Sequence, residues 1–373
     1  MNVKYLLMGL AGLLVASCSN SCNKGSNNTP ALEEKGGLEM YPEFINRIMP
    51  ELGKGVTGGD GAISIDLKNG RSMFMWGDCF IGDVVNNKHV SPTYFIMGNV
   101  FTVLSKDTVV SYRRGTKTQP TSWIAPEPRG GNTVNWYWPG HGFVRDGILH
   151  LFMSEFYKSG DGSFDFVYLG CDYFRLDPNT LTIIDKQNFP AANVNDVHYG
   201  HAVLDDGKYI YSYGTKTDVN GFGYVHMARS EMVNNRLTNW TYYNGEEWVT
   251  NPSETKALEG VKTSVSEQFN VFKMNNKYIL VTQTRGFTNR VFSAISDTPT
   301  GPFYNEKQIF KVEEPLAEKK MMTYNTMVHP QFQDKGRVLM CYNVNTTDFF
   351  AIYKDATLYK PRFFWMPIDT MLE

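Results

Sequence analysis

The sequence predicts an all-β chain, and within that class a five-bladed β-propeller of four-stranded antiparallel sheets. Three observations carry this expectation. Five segments share one register: a strand, a tight Gly or Asn turn, then a second apolar strand. Each segment opens on an ionisable side chain, in turn Asp60, His141, His201, Glu267 and His329. Aromatic residues, which favour strands, are abundant (24 Phe, 21 Tyr, 7 Trp), while no long apolar run recurs at helical spacing. A repeat that holds a polar residue at one register points a ring of groups at a common axis.

The elements follow in chain order. Residues 1–17 read as a lipoprotein signal peptide. The start is short and basic, the apolar stretch is too short to span a bilayer, and Val15-Ala16-Ser17-Cys18 has the form of a lipobox. An ordinary cleaved signal peptide with an incidental cysteine is the alternative. Lipidated Cys18 would anchor the chain through a flexible tether over residues 18–38, rich in Ser, Asn, Lys and Gly. The expected location is the cell envelope, on the periplasmic or surface face of an outer membrane. The one persuasive helix falls around Pro42 to Met49.

The five hairpins then turn at Asn69-Gly70, Asp146-Gly147, Asp206-Gly207, Asn275-Asn276 and Lys335-Gly336. Outer strands are expected at 164–169, 173–176 and 181–184, at 223–228 and 240–243, at 291–295 and 301–303, and at 349–353 and 361–365. Residues 39–373 therefore read as a single propeller domain. A pair of β-sandwiches is the competing architecture, because counting strands does not establish closure.

Lys plus Arg number 36 and Asp plus Glu 38, a net charge of −2, which argues against a nucleic-acid partner. A monomer is expected. Cys79, Cys171 and Cys341 lie far apart, mostly in apolar strands, and read as buried thiols. No Gly-x-Ser-x-Gly elbow, phosphate-binding loop, His-Glu-x-x-His or Cys-x-x-Cys motif occurs, and the repeated boxes of a sialidase are absent.

Four acids are candidates for chemistry. Asp60 follows Gly58-Gly59, which lets the backbone turn sharply at a strand mouth. Asp78 ends the partner strand. An antiparallel hairpin returns it to the level of Asp60, where two carboxylates would push their pKa values apart. Glu267 opens the fourth unit, and Glu155 ends the second hairpin at the position equivalent to Asp78. Their bland readings are a turn-capping Asp and solvated or rim acids. His141, His201 and His329 could contact hydroxyls, tune the acids, pack in the core or ligate a metal. No cofactor is required, and a structural or axial ion such as calcium is an open option. Trp136 and Trp138, in Asn135-Trp136-Tyr137-Trp138-Pro139, could stack on sugar rings or plug the centre. Arg285 and Asn345 end second strands near the same face.

Gly58-Gly59-Asp60-Gly61, Trp76-Gly77-Asp78, Tyr137-Trp138-Pro139-Gly140, Val265-Ser266-Glu267-Gln268-Phe269 and Tyr324-Asn325 through His329-Pro330 to Asn345 resemble the bacterial propellers grouped as domains of unknown function 4185 and 5005. The family's His-Asn-Ser-like segment is represented here only by Met97-Gly98-Asn99. The resemblance implies glycoside hydrolysis of a poly- or oligosaccharide, since some relatives are endo-acting D-arabinanases. It makes Asp60 and Glu267 the first candidates. The resulting expectation is Asp60 as base or nucleophile, Glu267 as general acid, and Asp78 or Glu155 as the tuning group. The alternatives are a surface glycan-binding lipoprotein without turnover and a structural or protein-interaction propeller.

Overall fold

Backbone chemistry at the turns sets the hairpins. φ is positive at both central residues of Asp146-Gly147, Asn275-Asn276 and Lys335-Gly336, the twist that joins two adjacent antiparallel strands. At Asp206-Gly207 the Asp206 carboxylate instead accepts the Lys208 and Tyr209 amides at 2.9 and 2.7 Å. The structure, a computed structural model, describes residues 39–373 apart from 107, 131–132, 192–193 and 315–319. The signal peptide, Cys18 and the whole tether over residues 18–38 lie outside the described residues.

Five sheets, numbered I to V, follow one another along the chain. Sheet I holds Ile63–Asp66, Ser72–Trp76, Val100–Leu104 and Val109–Tyr112. Sheet II holds Asn135–Arg145, Ile148–Lys158, Phe166–Leu176 and Ile183–Asn188. Sheet III begins with Val197–Asp205 and Tyr209–Thr217, continues through Gly223–Val233 and Arg236–Tyr243, and adds a fifth short strand, Trp248–Val249. Sheet IV holds Asn270–Met274, Lys277–Gln283, Arg290–Ser296 and Tyr304–Lys311. Sheet V holds Met321–Asp334, Arg337–Thr346 and Arg362–Pro367, and its fourth strand is Glu39–Met40 from the other end of the domain.

Two smaller sheets complete the described structure: Val56–Gly59 with Cys79–Val85 and Lys88–Ile96, and the pair Arg114–Gly115 with Pro120–Thr121.

The first strand of each sheet touches the first strand of the next, I to II, II to III, III to IV, IV to V and V back to I. Apolar side chains pack between the neighbouring sheets. One cluster joins sheet I to sheets II and V, and three others fill the II/III, III/IV and IV/V contacts. The arrangement is all-β and propeller-like. The helix Glu43–Ile48 buries Phe44 and Ile48 against it, with Phe44 packed in tilted and edge-on contacts among Phe74, Phe332 and Phe363.

Three expectations are corrected. The outer strand expected at 301–303 lies instead just beyond it, at Tyr304–Lys311. The expected strand at 349–353 is instead occupied by the short helix Ala351–Lys354. The fourth position of sheet V is already taken by Glu39–Met40, so this segment packs its rings on Phe80 and Phe95 instead. The expected strands at 164–169 and 173–176 are largely one continuous strand, Phe166–Leu176, with an irregularity opposite Glu155.

Candidate active site

Hydrogen bonds gather the starts of the first strands on one face: Tyr324 of sheet V reaches Asp60, Gln268 ahead of sheet IV reaches Pro139 of sheet II, and His198 of sheet III reaches Glu267. Asp60 lies just ahead of Ile63–Asp66, where Gly61 has φ +88° and Asp60 O accepts the Gly77 amide at 2.9 Å. A Cβ on Gly77 would stand 2.6 Å from Asp60 Oδ1, so only glycine leaves room for that carboxylate. Asp78 follows Gly77 directly. Its Oδ1 accepts the Gly98 amide at 2.9 Å and Trp138 Nε1 at 2.8 Å. Asp60 Oδ2 accepts the Tyr324 hydroxyl at 2.7 Å, and Asn345 Nδ2 stands 3.4 Å from that hydroxyl. Tyr359 donates to Asp78 O at 2.9 Å.

Burial raises Asp60 to about 6, against the opposing pull of the Tyr324 and Tyr359 hydroxyls. Burial, and then the charge of Asp60, raises Asp78 to about 7. The expected proximity of these two acids is thus observed, and each retains partial exposure at the mouth.

Glu267 sits in a different environment on the same face. Its Oε1 is in close contact with His198 Nδ1, His201 Nε2 lies 3.4 Å from the same oxygen, and Arg285 Nη1 takes Oε2 at 3.0 Å. Burial acts to raise this carboxyl, but the contacts with His198 and His201 prevail and hold it well below the usual range. The environment of Glu267 thus favours its ionised form, whereas that of the two aspartates favours the protonated form.

A wall of rings connects the two clusters. Trp138 packs on Phe156 at 4.7 Å and Phe166 at 4.9 Å, Phe156 on Tyr168 at 5.5 Å, and Tyr168 on His198 at 3.8 Å. On the other side Phe287 contacts Tyr324 at 5.7 Å and Phe164 at 5.8 Å, so loops of sheets II and IV meet there. Gln268 donates to Pro139 O at 3.0 Å and accepts from Asn325 at 3.1 Å.

Other sequence candidates fall elsewhere. His329 is wholly buried, with Nδ1 2.7 Å from Ser64 Oγ and Nε2 3.3 Å from Cys341 Sγ. Burial lowers it to about 3, which keeps it neutral. It is a core histidine, because the first strand of sheet V starts earlier than the repeat implied and places Tyr324 and Asn325 at the mouth instead. Trp136 is buried and supports Trp138 from behind at 5.3 Å. Glu155 is paired with Asn135 at 2.8 Å and Arg129 at 3.3 Å, and no contact joins it to the aspartates. His141 accepts the Val203 amide at 3.3 Å, and burial lowers it to about 4.

His198, Tyr168, Tyr324, Tyr359, Gln268 and Phe287 did not emerge as sequence candidates. The missed signal for His198 is a bulge. Residues three apart on a regular strand face opposite ways, but the pairing shifts between Tyr199 and Ala202, and both His198 and His201 reach Glu267. Among the described residues, His198, His201 and Glu267 form the group with donor atoms close enough to hold a metal ion, all within 4.8 Å of one another.

The domain of unknown function catalogued as DUF5005 matches residues 39–367. The chain belongs to the DUF5005 family. No curated protein matches it. The fold of this DUF5005 chain is similar to that of a candidate hydrolase from Bacteroides ovatus ATCC 8483, at TM-score 0.73 and 18% identity, covering 92% of this chain and 97% of the other. Two more distant structures are similar over most of their length. One is the GH43_1 enzyme from Xanthomonas citri complexed with xylotriose (TM-score 0.44, 11% identity, 85% of this chain and 88% of the other). The other is an α-L-arabinofuranosidase from Podospora anserina in complex with cellotriose (TM-score 0.46, 12% identity, 86% and 94%). At 18% identity the likeness to the Bacteroides ovatus structure is one of fold.

Proposed function

We propose that this DUF5005 chain is a glycoside hydrolase that works at the axial mouth of a five-bladed β-propeller. The observation that carries the reading is the Asp60–Asp78 pair: two desolvated carboxyls, raised to about 6 and 7, beside an indole. Asp78, the weaker acid of the pair, keeps its proton up to about pH 7 and acts as general acid toward the leaving oxygen. Asp60 ionises first, with Tyr324 bonded to the charged form, and acts as base or nucleophile. Two carboxyls with separated proton affinities are what cleavage of a glycosidic bond requires. Trp138 offers an apolar face for a sugar ring while its N–H holds Asp78 in place. The ionised Glu267, fixed by Arg285 and two histidines, supplies negative potential across the mouth rather than a proton.

The substrate class is a poly- or oligosaccharide of the cell envelope or of plants, with arabinan the first choice from the family resemblance. The domain is carried on a lipid anchor at Cys18. The deciding experiment incubates the purified chain with arabinans, xylans and host glycans and reads released sugars by chromatography. Turnover that disappears in both Asp60→Asn and Asp78→Asn supports the reading. Glycan binding without release in the wild type replaces it with a binding protein.

A further inference from the structure

The hydrolase reading uses only the charge of Glu267 and leaves the two histidines beside it without a task. His201 is 5% exposed, and neither of its ring nitrogens has a hydrogen-bond partner, although Nε2 is 3.4 Å from Glu267 Oε1. A buried imidazole with no partner at Nδ1 and only a long 3.4 Å ion-pair contact at Nε2 is disfavoured unless something else occupies them. His198 reaches the same oxygen from the rim, with a quarter of its side chain exposed and Tyr168 stacked on its ring. Arg285 takes Oε2, so Oε1 alone turns toward the two histidines. The bulge between Tyr199 and Ala202 is the device that puts both imidazoles on one side of the strand. A packing role would need neither two nitrogen donors nor a carboxylate between them.

We propose that His198, His201 and Glu267 bind one divalent transition-metal ion at the edge of the axial mouth. Two imidazoles and one carboxylate oxygen favour zinc-like ions. Calcium and magnesium seek six or more oxygens, which this cluster does not offer. Three protein ligands leave at least one position toward the mouth for water or for an oxygen of a bound sugar. Arg285 is the outer partner that fixes the carboxylate and leaves one oxygen for the ion. The site is independent of the hydrolase reading, since it is defined by binding and not by turnover.

The test uses the full chain, stripped with a chelator and dialysed, then titrated separately with Zn2+, Co2+ and Ca2+ by calorimetry. Cobalt loading is also followed by visible absorption, which reports nitrogen-containing coordination. The expected result is one Zn2+ or Co2+ per chain and far weaker Ca2+. His198→Ala and Glu267→Gln should each weaken binding by at least the roughly 10–100-fold that loss of an outer partner costs. Asp60→Asn should leave binding unchanged even where it abolishes sugar release, which separates the two proposals. His201→Ala alters the core, so the partly exposed His198 and the same-shaped Glu267→Gln carry the test if that variant does not fold. Absent binding, a preference for calcium, or zinc affinity indifferent to both substitutions overturns the proposal.

Discussion

Burial holds Asp60 near pH 6, and burial with the charge of Asp60 holds Asp78 near pH 7, so the folded state binds protons that the unfolded chain has released. The sign of the consequence follows from linkage. Between the unfolded value of 3.8 and the folded values, the native state carries more protons, and stability falls as pH rises through that window. Asp60→Asn and Asp78→Asn are each expected to stabilise the fold at pH 8, by on the order of 1–2 kcal/mol after allowing for partial exposure, and to do little at pH 4. Thermal melts at the two pH values check this, and equal shifts at both would remove the electrostatic account.

The same residues define the active protonation state, with Asp60 ionised and Asp78 protonated. Sugar release should peak between about pH 6 and 7 and fall on both sides. Asp78→Asn should lower kcat by roughly 10²–10⁴-fold. A rate that rises steadily to pH 9 contradicts the assignment. The pair was legible in the sequence because a hairpin must return Asp78 to the level of Asp60. The ionised state of Glu267 was not, because it depends on His198, His201 and Arg285, which come from other strands and meet only in the folded chain.

At the level of elements, small residues decide how closely strands approach. Gly140 lies where the first strands of sheets II and III touch, and a Cβ there would be 2.5 Å from Gly200 O and 2.8 Å from Phe152 O. Backbone atoms cannot yield as a flexible side chain can. Gly140→Ala is therefore expected to cost about 1–3 kcal/mol, read by urea unfolding, and to lower activity by displacing Trp138 two residues away. Unchanged stability would mean that the two strands have slack. The five hairpins were readable from turn chemistry, since Gly and Asn pairs accept positive φ where most residues do not. The bulges were not readable, because the extra residue is paid out by pairing with a partner strand. They account for the misread register at His329 and for the overlooked His198.

For the whole molecule, the ends of the domain meet. Glu39–Met40 pairs with Arg362–Pro367, Tyr41 stacks on Trp365 at 5.8 Å, and Arg337 contacts Glu39. Deleting residues 39–41 should lower the melting temperature. The ring stack alone accounts for about 0.5–1.5 kcal/mol, and an unaltered melt would show that sheet V is complete without them. Membrane association belongs to this scale as well. Cys18→Ala should shift the protein from the membrane pellet to the soluble fraction, and unchanged pelleting would refute an anchor at that cysteine.

The sequence by itself determined the strand-rich class, the five turns and the neighbourhood of Asp60 and Asp78. These rest on local rules: alternation, turn conformation and the return of a hairpin. Only the tertiary structure decided that Glu39–Met40 completes sheet V, that His329 lies in the core, and that His198, His201, Arg285 and Glu267 converge. Contacts between distant segments leave no periodic mark on the chain. They are selected by which surfaces fit together once each sheet has formed.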